Sequence, residues 1–193
     1  MPPPLQIRRL ELSEISALQS LRREALSAHP LAFAASIEDD RTLDTARLTR
    51  AVNSPAESAL IVAIEAPLLL GMVGVYRHTG RKSAHRAQIW GMYVAPNQRR
   101  HGLGSALLHA AIEQARGWSG VTQLQLCVTT DGDAARKLYE GVGFQVWGCA
   151  PRALQWEGQF VDEYHLALSL RASESITSAP GQEAGASPIT PTA

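Results

Sequence analysis

Met92-Tyr93-Val94-Ala95-Pro96-Asn97-Gln98-Arg99-Arg100-His101-Gly102-Leu103-Gly104-Ser105-Ala106-Leu107-Leu108 contains a change of period. Up to Val94 the residues are mostly apolar with little alternation, the mark of a strand covered on both faces. After the glycines, Leu103, Ala106, Leu107, Ala110 and Ala111 recur at helical spacing, and Gly117 is a natural stop. A basic turn with two glycines therefore joins a strand to a helix. The first N–H groups of that helix have no intrahelical partner and sit at the positive end of its dipole, so the junction suits an anion, phosphate above all. Glycine lets a ligand approach the backbone closely, and Arg99 and Arg100 add charge-assisted hydrogen bonds. His101 is either a further phosphate contact or a turn residue. Taken alone, such a turn also suits simple capping of the helix.

Outward from the junction, Arg86 to Val94 reads as a strand, preceded by two apolar runs, Ala59 to Glu65 and Gly71 to His78, joined by a turn at Pro67. Nearer the start, Leu5 to Leu10 reads as a short strand. A helix follows with Ser13 as its N-cap and a stripe of Leu18, Leu21, Ala25 and Leu26, and a weaker one spans about 44–52. Beyond the junction come a strand over Val121 to Thr129, a helix opening at Asp131-Gly132-Asp133 and running past Tyr139, and a closing pair of strands. That pair, Phe144 to Cys149 and Val161 to Leu168, is expected to be separated by Pro151 and a turn at Gly158. Residues 1–171 make one domain, and 172–193, rich in Ala, Ser, Thr, Pro and Gly, are expected to be a flexible tail.

Lys plus Arg and Asp plus Glu each number 18, so the formal net charge is zero and no chain-wide field favours nucleic acid or an anionic membrane. No run approaches the roughly 18–20 apolar residues of a membrane span, and Met1-Pro2-Pro3-Pro4 lacks the order of a secretory signal. A cytoplasmic protein is expected. Cys127 and Cys149 lie in apolar runs and form no Cys-x-x-Cys pair, and no histidine spacing suggests a metal cluster, so both cysteines read as reduced packing residues and no metal is expected.

A Walker A loop needs Gly-Lys-Ser/Thr after four spacers, which is absent, and the dinucleotide fingerprint needs a third glycine or alanine where Leu107 stands. Arg99-x-x-Gly102-x-Gly104 instead resembles the pyrophosphate-binding signature of the GNAT superfamily of acetyl-coenzyme A-dependent N-acetyltransferases. The order of elements from about Leu5 to Leu170 matches that family. So do Ile89-Trp90-Gly91-Met92-Tyr93-Val94-Ala95-Pro96, similar to its bulged strand, and Ala135-x-x-Leu138-Tyr139-Glu140-x-x-Gly143-Phe144, similar to its later helix. The resemblance implies a mixed, mostly antiparallel α/β sheet of about seven strands flanked by about four helices. It also implies acetyl-coenzyme A as co-substrate, held by Arg99, Arg100, His101, Gly102, Leu103, Gly104 and Ser105 at the pyrophosphate and by Met92, Tyr93 and Val94 at the pantetheine and thioester.

On the same resemblance Tyr139 is the acid that protonates the departing thiolate, although its spacing with Ala135 and Leu138 equally suits a core residue. Where relatives commonly carry an asparagine the sequence has Gly132, and where many carry a basic glutamate it has Gln88, which cannot accept a proton at neutral pH. His85, Glu163 and His165 are candidate replacements. Glu163 and His165 are two apart in a strand, so they share a face, as ordinary strand decoration also would. The implied reaction is acetyl transfer to a primary amine, of a small molecule or a peptide, by direct attack in a ternary complex; the rival is a catalytically silent acyl-coenzyme A sensor. An enzyme of another chemistry built on Cys127 lacks a visible histidine partner. Asp39, Asp40, Asp162 and Glu163 suit a cationic acceptor, as they equally suit the plain solvation of acids on loops, and a homodimer is left open, since many members of the family pair through their closing strands.

Overall fold

The computed structural model describes residues 4–171, so the expected tail lies outside the described residues. Seven strands form one sheet in the order β1-β2-β3-β4-β5-β7-β6. They are β1 (Gln6–Arg9), β2 (Ser58–Glu65), β3 (Leu68–Arg77), β4 (Arg86–Val94), β5 (Gln123–Thr129), β6 (Gln145–Trp156) and β7 (Gln159–Ser169). Only β4 and β5 run parallel. Four α-helices flank the sheet among the described residues: α1 (Ile15–Ala28), α2 (Thr45–Val52), α3 (Leu103–Arg116) and α4 (Asp133–Gly141). This is the mixed, mostly antiparallel architecture expected. No helix of the described residues is long and apolar enough to cross a membrane.

The continuous apolar run of β2 serves two cores at once. Ala59, Ile61 and Ala63 join α3 in one cluster, while Leu60 and Val62 join α1 and Leu48 of α2 in the other, because successive side chains of a strand point to opposite faces. Burying both faces explains why no polar alternation is visible in the sequence.

β4 begins in the same phase, with Ala87 and Ile89 facing α3. Gly91 and Met92 then lie opposite the single Val73 of β3, between the pairs Gly74–Trp90 and Met72–Tyr93. Gly91 takes a left-handed φ of 62°, which a residue with a Cβ adopts only under strain. The extra residue reverses the facing of everything beyond it. Tyr93 therefore packs with α1, and Met92 turns toward α3 and α4.

Two local expectations are corrected. Ser13 does not cap α1; a 3-10 turn at Leu12–Glu14 precedes the helix, and Glu11 and Glu14 close a reciprocal capping box around it. Pro151 does not separate the closing strands, because β6 runs through it to Trp156. β6 is an edge strand, where a missing N–H costs no ladder bond, and the register slips between Ala150 and Leu154 to absorb it. Asp162 Oδ1 accepts a hydrogen bond from Arg152 N at 2.7 Å across this bulge. The turn between β6 and β7 carries left-handed Glu157 and Gly158, as a tight hairpin requires.

Candidate active site

β4 pairs with β5 only at Arg86, Ala87 and Gln88. Beyond that point β5 stays with β7 as far as Thr129, while β4 continues through its bulge without a partner on that side. The two strands part, and the β4 backbone from Ile89 onward edges the slot between them.

At the far end of the slot α3 starts on Gly102, whose φ is 79° and which offers no side-chain cap. Its first-turn donors, at Leu103, Gly104 and Ser105, thus keep the bonding capacity that a capping side chain would have taken. A Cβ on Gly104 would come within 3.3 Å of Leu138 Cδ2 and 3.4 Å of Met92 Cε, so a larger residue would crowd the place where α3, α4 and β4 converge. Arg100 is also left-handed, at φ 69°, and both it and His101 are exposed. The Arg99 side chain folds back instead: Nε donates to Val94 O at 2.9 Å, Nη2 meets His29 Nε2 at 3.0 Å, and the guanidinium lies 5.4 Å from the Tyr93 ring centre. In this arrangement Arg99 ties the junction to β4. The bare helix start, the glycines and the parted strands fit the pyrophosphate and arm of a coenzyme A ester.

Tyr139 is buried, and its hydroxyl donates to Met92 Sδ at 3.6 Å, on the α3–α4 side of the bulge. Burial pushes its pKa up to about 12, because the phenolate would lose its hydration. The ring also packs edge-on against Phe144, as a core residue would, while its hydroxyl reaches the bulged strand at Met92. Gly132 stands in a tight turn, where a Cβ would meet Val128 Cγ2 at 2.7 Å; an asparagine there would require the turn to shift.

On the opposite, α1–α2 side of the sheet a cleft of about 1020 Å³ runs alongside Gln88 to Gly91. Glu163 lines it; burial raises its carboxyl pKa, and the nearby His165 opposes that rise. Glu163, His165 and Cys127 share this face, and Cys127 Sγ lies 3.2 Å from His165 Nδ1. The register of β5 and β7 makes this contact, since Cys127 pairs with His165. Sequence spacing hid the partnership across 38 residues. Burial first, and the Glu163 charge second, push the Cys127 pKa up to about 11, which leaves a neutral thiol at ordinary pH. His85 is exposed at the entry to β4 and does not line the cleft.

Of the four acids expected to suit a cationic acceptor, Glu163, Asp39 and Asp40 line the cleft, and three of the four are engaged within the protein. The Asp40 carboxylate is turned inward: Oδ2 accepts from Arg22 Nε at 2.8 Å and Nη2 at 2.6 Å, and Oδ1 accepts from Thr42 N and its hydroxyl. Asp39 accepts from Ser36 N at 2.7 Å, and Asp162 is engaged at Arg152. Arg41, Arg47 and Arg50 line the cleft together with Arg22; Arg47 pairs with Asp44 at 3.3 Å and Arg50 Nε donates to Ala46 O. The Arg22 side chain is 4% exposed, its guanidinium carbon lies 4.5 Å from the Phe33 ring centre, and its Nη1 has no hydrogen-bond partner. That atom would lie 3.5 Å from a Cβ on Gly91, beside the bulge. Sequence reading missed Arg22, since an arginine on an amphipathic helix looks like a solvent-facing residue.

Residues 18–144 match the acetyltransferase (GNAT) family. The L-amino acid N-acetyltransferase AaaT of Escherichia coli (strain K12) is 24% identical over 161 residues, covering 83% of this chain and 95% of that one. An acetyltransferase of the GNAT family from Streptococcus pneumoniae has a solved structure that matches with a TM-score of 0.75 at 26% identity, over 86% of this chain and 99% of that one. The structure of yncA, a putative acetyltransferase from Salmonella typhimurium with its cofactor acetyl-CoA, gives 0.75 at 20% identity, over 91% and 99%.

Proposed function

The chain belongs to the acetyltransferase (GNAT) family and is an acetyl-coenzyme A-dependent N-acetyltransferase, and from that premise we propose that it acetylates the primary amine of a small, carboxylate-bearing acceptor by direct attack in a ternary complex. One observation carries the ternary complex: the parted β4–β5 edge lies between the glycine junction and the cleft, so donor and acceptor approach the same stretch of backbone from different sides. Acetyl-coenzyme A supplies an acetyl group already activated as a thioester. Backbone N–H groups at Met92 to Val94 would orient its carbonyl oxygen by hydrogen bonding, and Gly102 to Ser105, with Arg100 and His101, would hold the pyrophosphate.

Tyr139 and Glu163 would handle protons on opposite faces of the sheet. Tyr139, protonated well past neutral pH, holds a proton on the α4 side for the leaving sulfur. An alkylammonium is mostly protonated at neutral pH, so the attacking amine must first give up a proton. Glu163, with His165 beside it, stands on the cleft side to take it. Gln88 remains as a hydrogen-bonding wall.

The carboxylate preference rests on the unpartnered Arg22 Nη1 beside Gly91 and on the arginines of the α2 wall. It agrees with the amino-acid acceptor in the name of the Escherichia coli relative. The test is acetyl-coenzyme A consumption with L-amino acids, the matching amides, the matching amines without a carboxyl group, and short peptides. Free amino acids should give the highest kcat/KM; equal values for the decarboxylated amines would refute the carboxylate reading. Coenzyme binding with no turnover on any amine would favour the sensor.

A further inference from the structure

One cluster on the cleft side has chemistry that proton transfer does not account for. Cys127, Glu163 and His165 offer sulfur, oxygen and nitrogen atoms that all lie within 4.8 Å of one another, and all three residues are half-buried. They stand on adjacent strands in fixed register, with Cys127 directly opposite His165 and Glu163 two residues along the same face. The Trp147 ring packs 5.2 Å from the His165 ring, which restrains the imidazole. Around a tetrahedral zinc ion with ordinary bond lengths, such donor atoms would be about 3.4–3.6 Å apart. The sulfur–nitrogen separation of 3.2 Å is close to that, and rotation of the Glu163 carboxylate would close the wider gap. A thiolate–imidazole–carboxylate set suits a borderline-soft ion and disfavours magnesium and calcium, which prefer all-oxygen shells.

We propose that Cys127, Glu163 and His165 form a three-ligand site for a divalent transition ion of the zinc class, and that the ion inhibits acetyl transfer. Cys127 releases its thiol proton to solvent as the metal–sulfur bond forms, and the fourth position faces the cleft. Inhibition rests on the reading of Glu163 and His165 as proton acceptors, because coordination occupies the lone pairs they would use; the metal site itself does not depend on it.

Cobalt(II) added to the tag-free full chain is the test, since a cobalt–thiolate bond produces a near-ultraviolet charge-transfer band. One equivalent should saturate the band, zinc should abolish it, Cys127→Ser and His165→Ala should lack it, and Cys149→Ser should keep it. Circular dichroism confirms that each variant is folded. No band in the native chain, or a band that survives Cys127→Ser, overturns the site. In parallel, acetylated product is measured by mass spectrometry with zinc and with zinc plus chelator. Each variant is compared with its own metal-free rate, and Cys127→Ser should need at least about tenfold more zinc for the same inhibition. Binding without inhibition overturns the inhibitory claim and counts against Glu163 and His165 as bases. An enzyme inactive on every amine would sink the acceptor reading, while the cobalt band would still decide the site.

Discussion

The glycine junction and the cleft lie on either side of the same strand but are built by different means. The junction is made of backbone: left-handed Arg100 and Gly102, an uncapped helix start, and a bulge at Gly91. The cleft is made of side chains drawn from α1, the loop before α2, α2 itself, β2, β3, β4, β5 and β7. A backbone site needs glycines at fixed spacing and so leaves a short mark in the sequence. A side-chain site assembled from eight segments leaves none, because each residue looks ordinary where it stands.

The sharpest way to break this comparison is at Tyr139, the proposed acid on the donor side. Tyr139→Phe should lower kcat by about 10²–10⁴-fold with the fold intact, as read by single-turnover acetylation. An acid in that role would work while protonated, and burial raises the Tyr139 pKa to about 12. Tyr139 should therefore impose no loss of rate as pH rises through the usual assay range; a limb that appears below about pH 10 and vanishes in Tyr139→Phe would contradict the environment described.

The Arg22–Asp40 pair is the corresponding point on the cleft side. Arg22→Met leaves a carboxylate that is 2% exposed without its partner, and should cost about 3–5 kcal/mol in denaturant unfolding. Asp40→Asn in the same chain should recover part of that loss. Arg22→Lys should raise KM for a free amino acid more than for the matching amide.

Smaller effects are expected where glycine makes room. Gly74→Ala would place a Cβ 2.1 Å from the Trp90 indole and should cost about 1–3 kcal/mol, a penalty that Trp90→Phe should reduce. Gly102→Ala, with open space around the new methyl but an unfavourable φ, should cost about 1 kcal/mol and raise KM for acetyl-coenzyme A more than it lowers kcat.

The legible parts share one property. β4, α3 and the glycine turn were visible because period and glycine spacing are local, and Asp44, which accepts from Ala46 and Arg47 N–H groups at the start of α2, shows how a short signal fixes an end. Ser13 misled because a 3-10 turn with its own carboxylate box intervenes before α1. Pro151 misled because a proline reads as a break until the strand is known to lie at an edge. The meeting of Cys127 with His165, and of Arg22 with Asp40, depends on register and loop path, which no window of sequence contains.

Trp90 crosses β3 in the space left by Gly74, and its other side faces the cleft. Neither position can drift alone: a side chain at 74 evicts the indole, and a small residue at 90 leaves a hole over 74. If the cleft holds the acceptor as proposed, its shape at Trp90 is tied to the space at 74, and a double substitution at the two positions should be milder than the sum of the single ones.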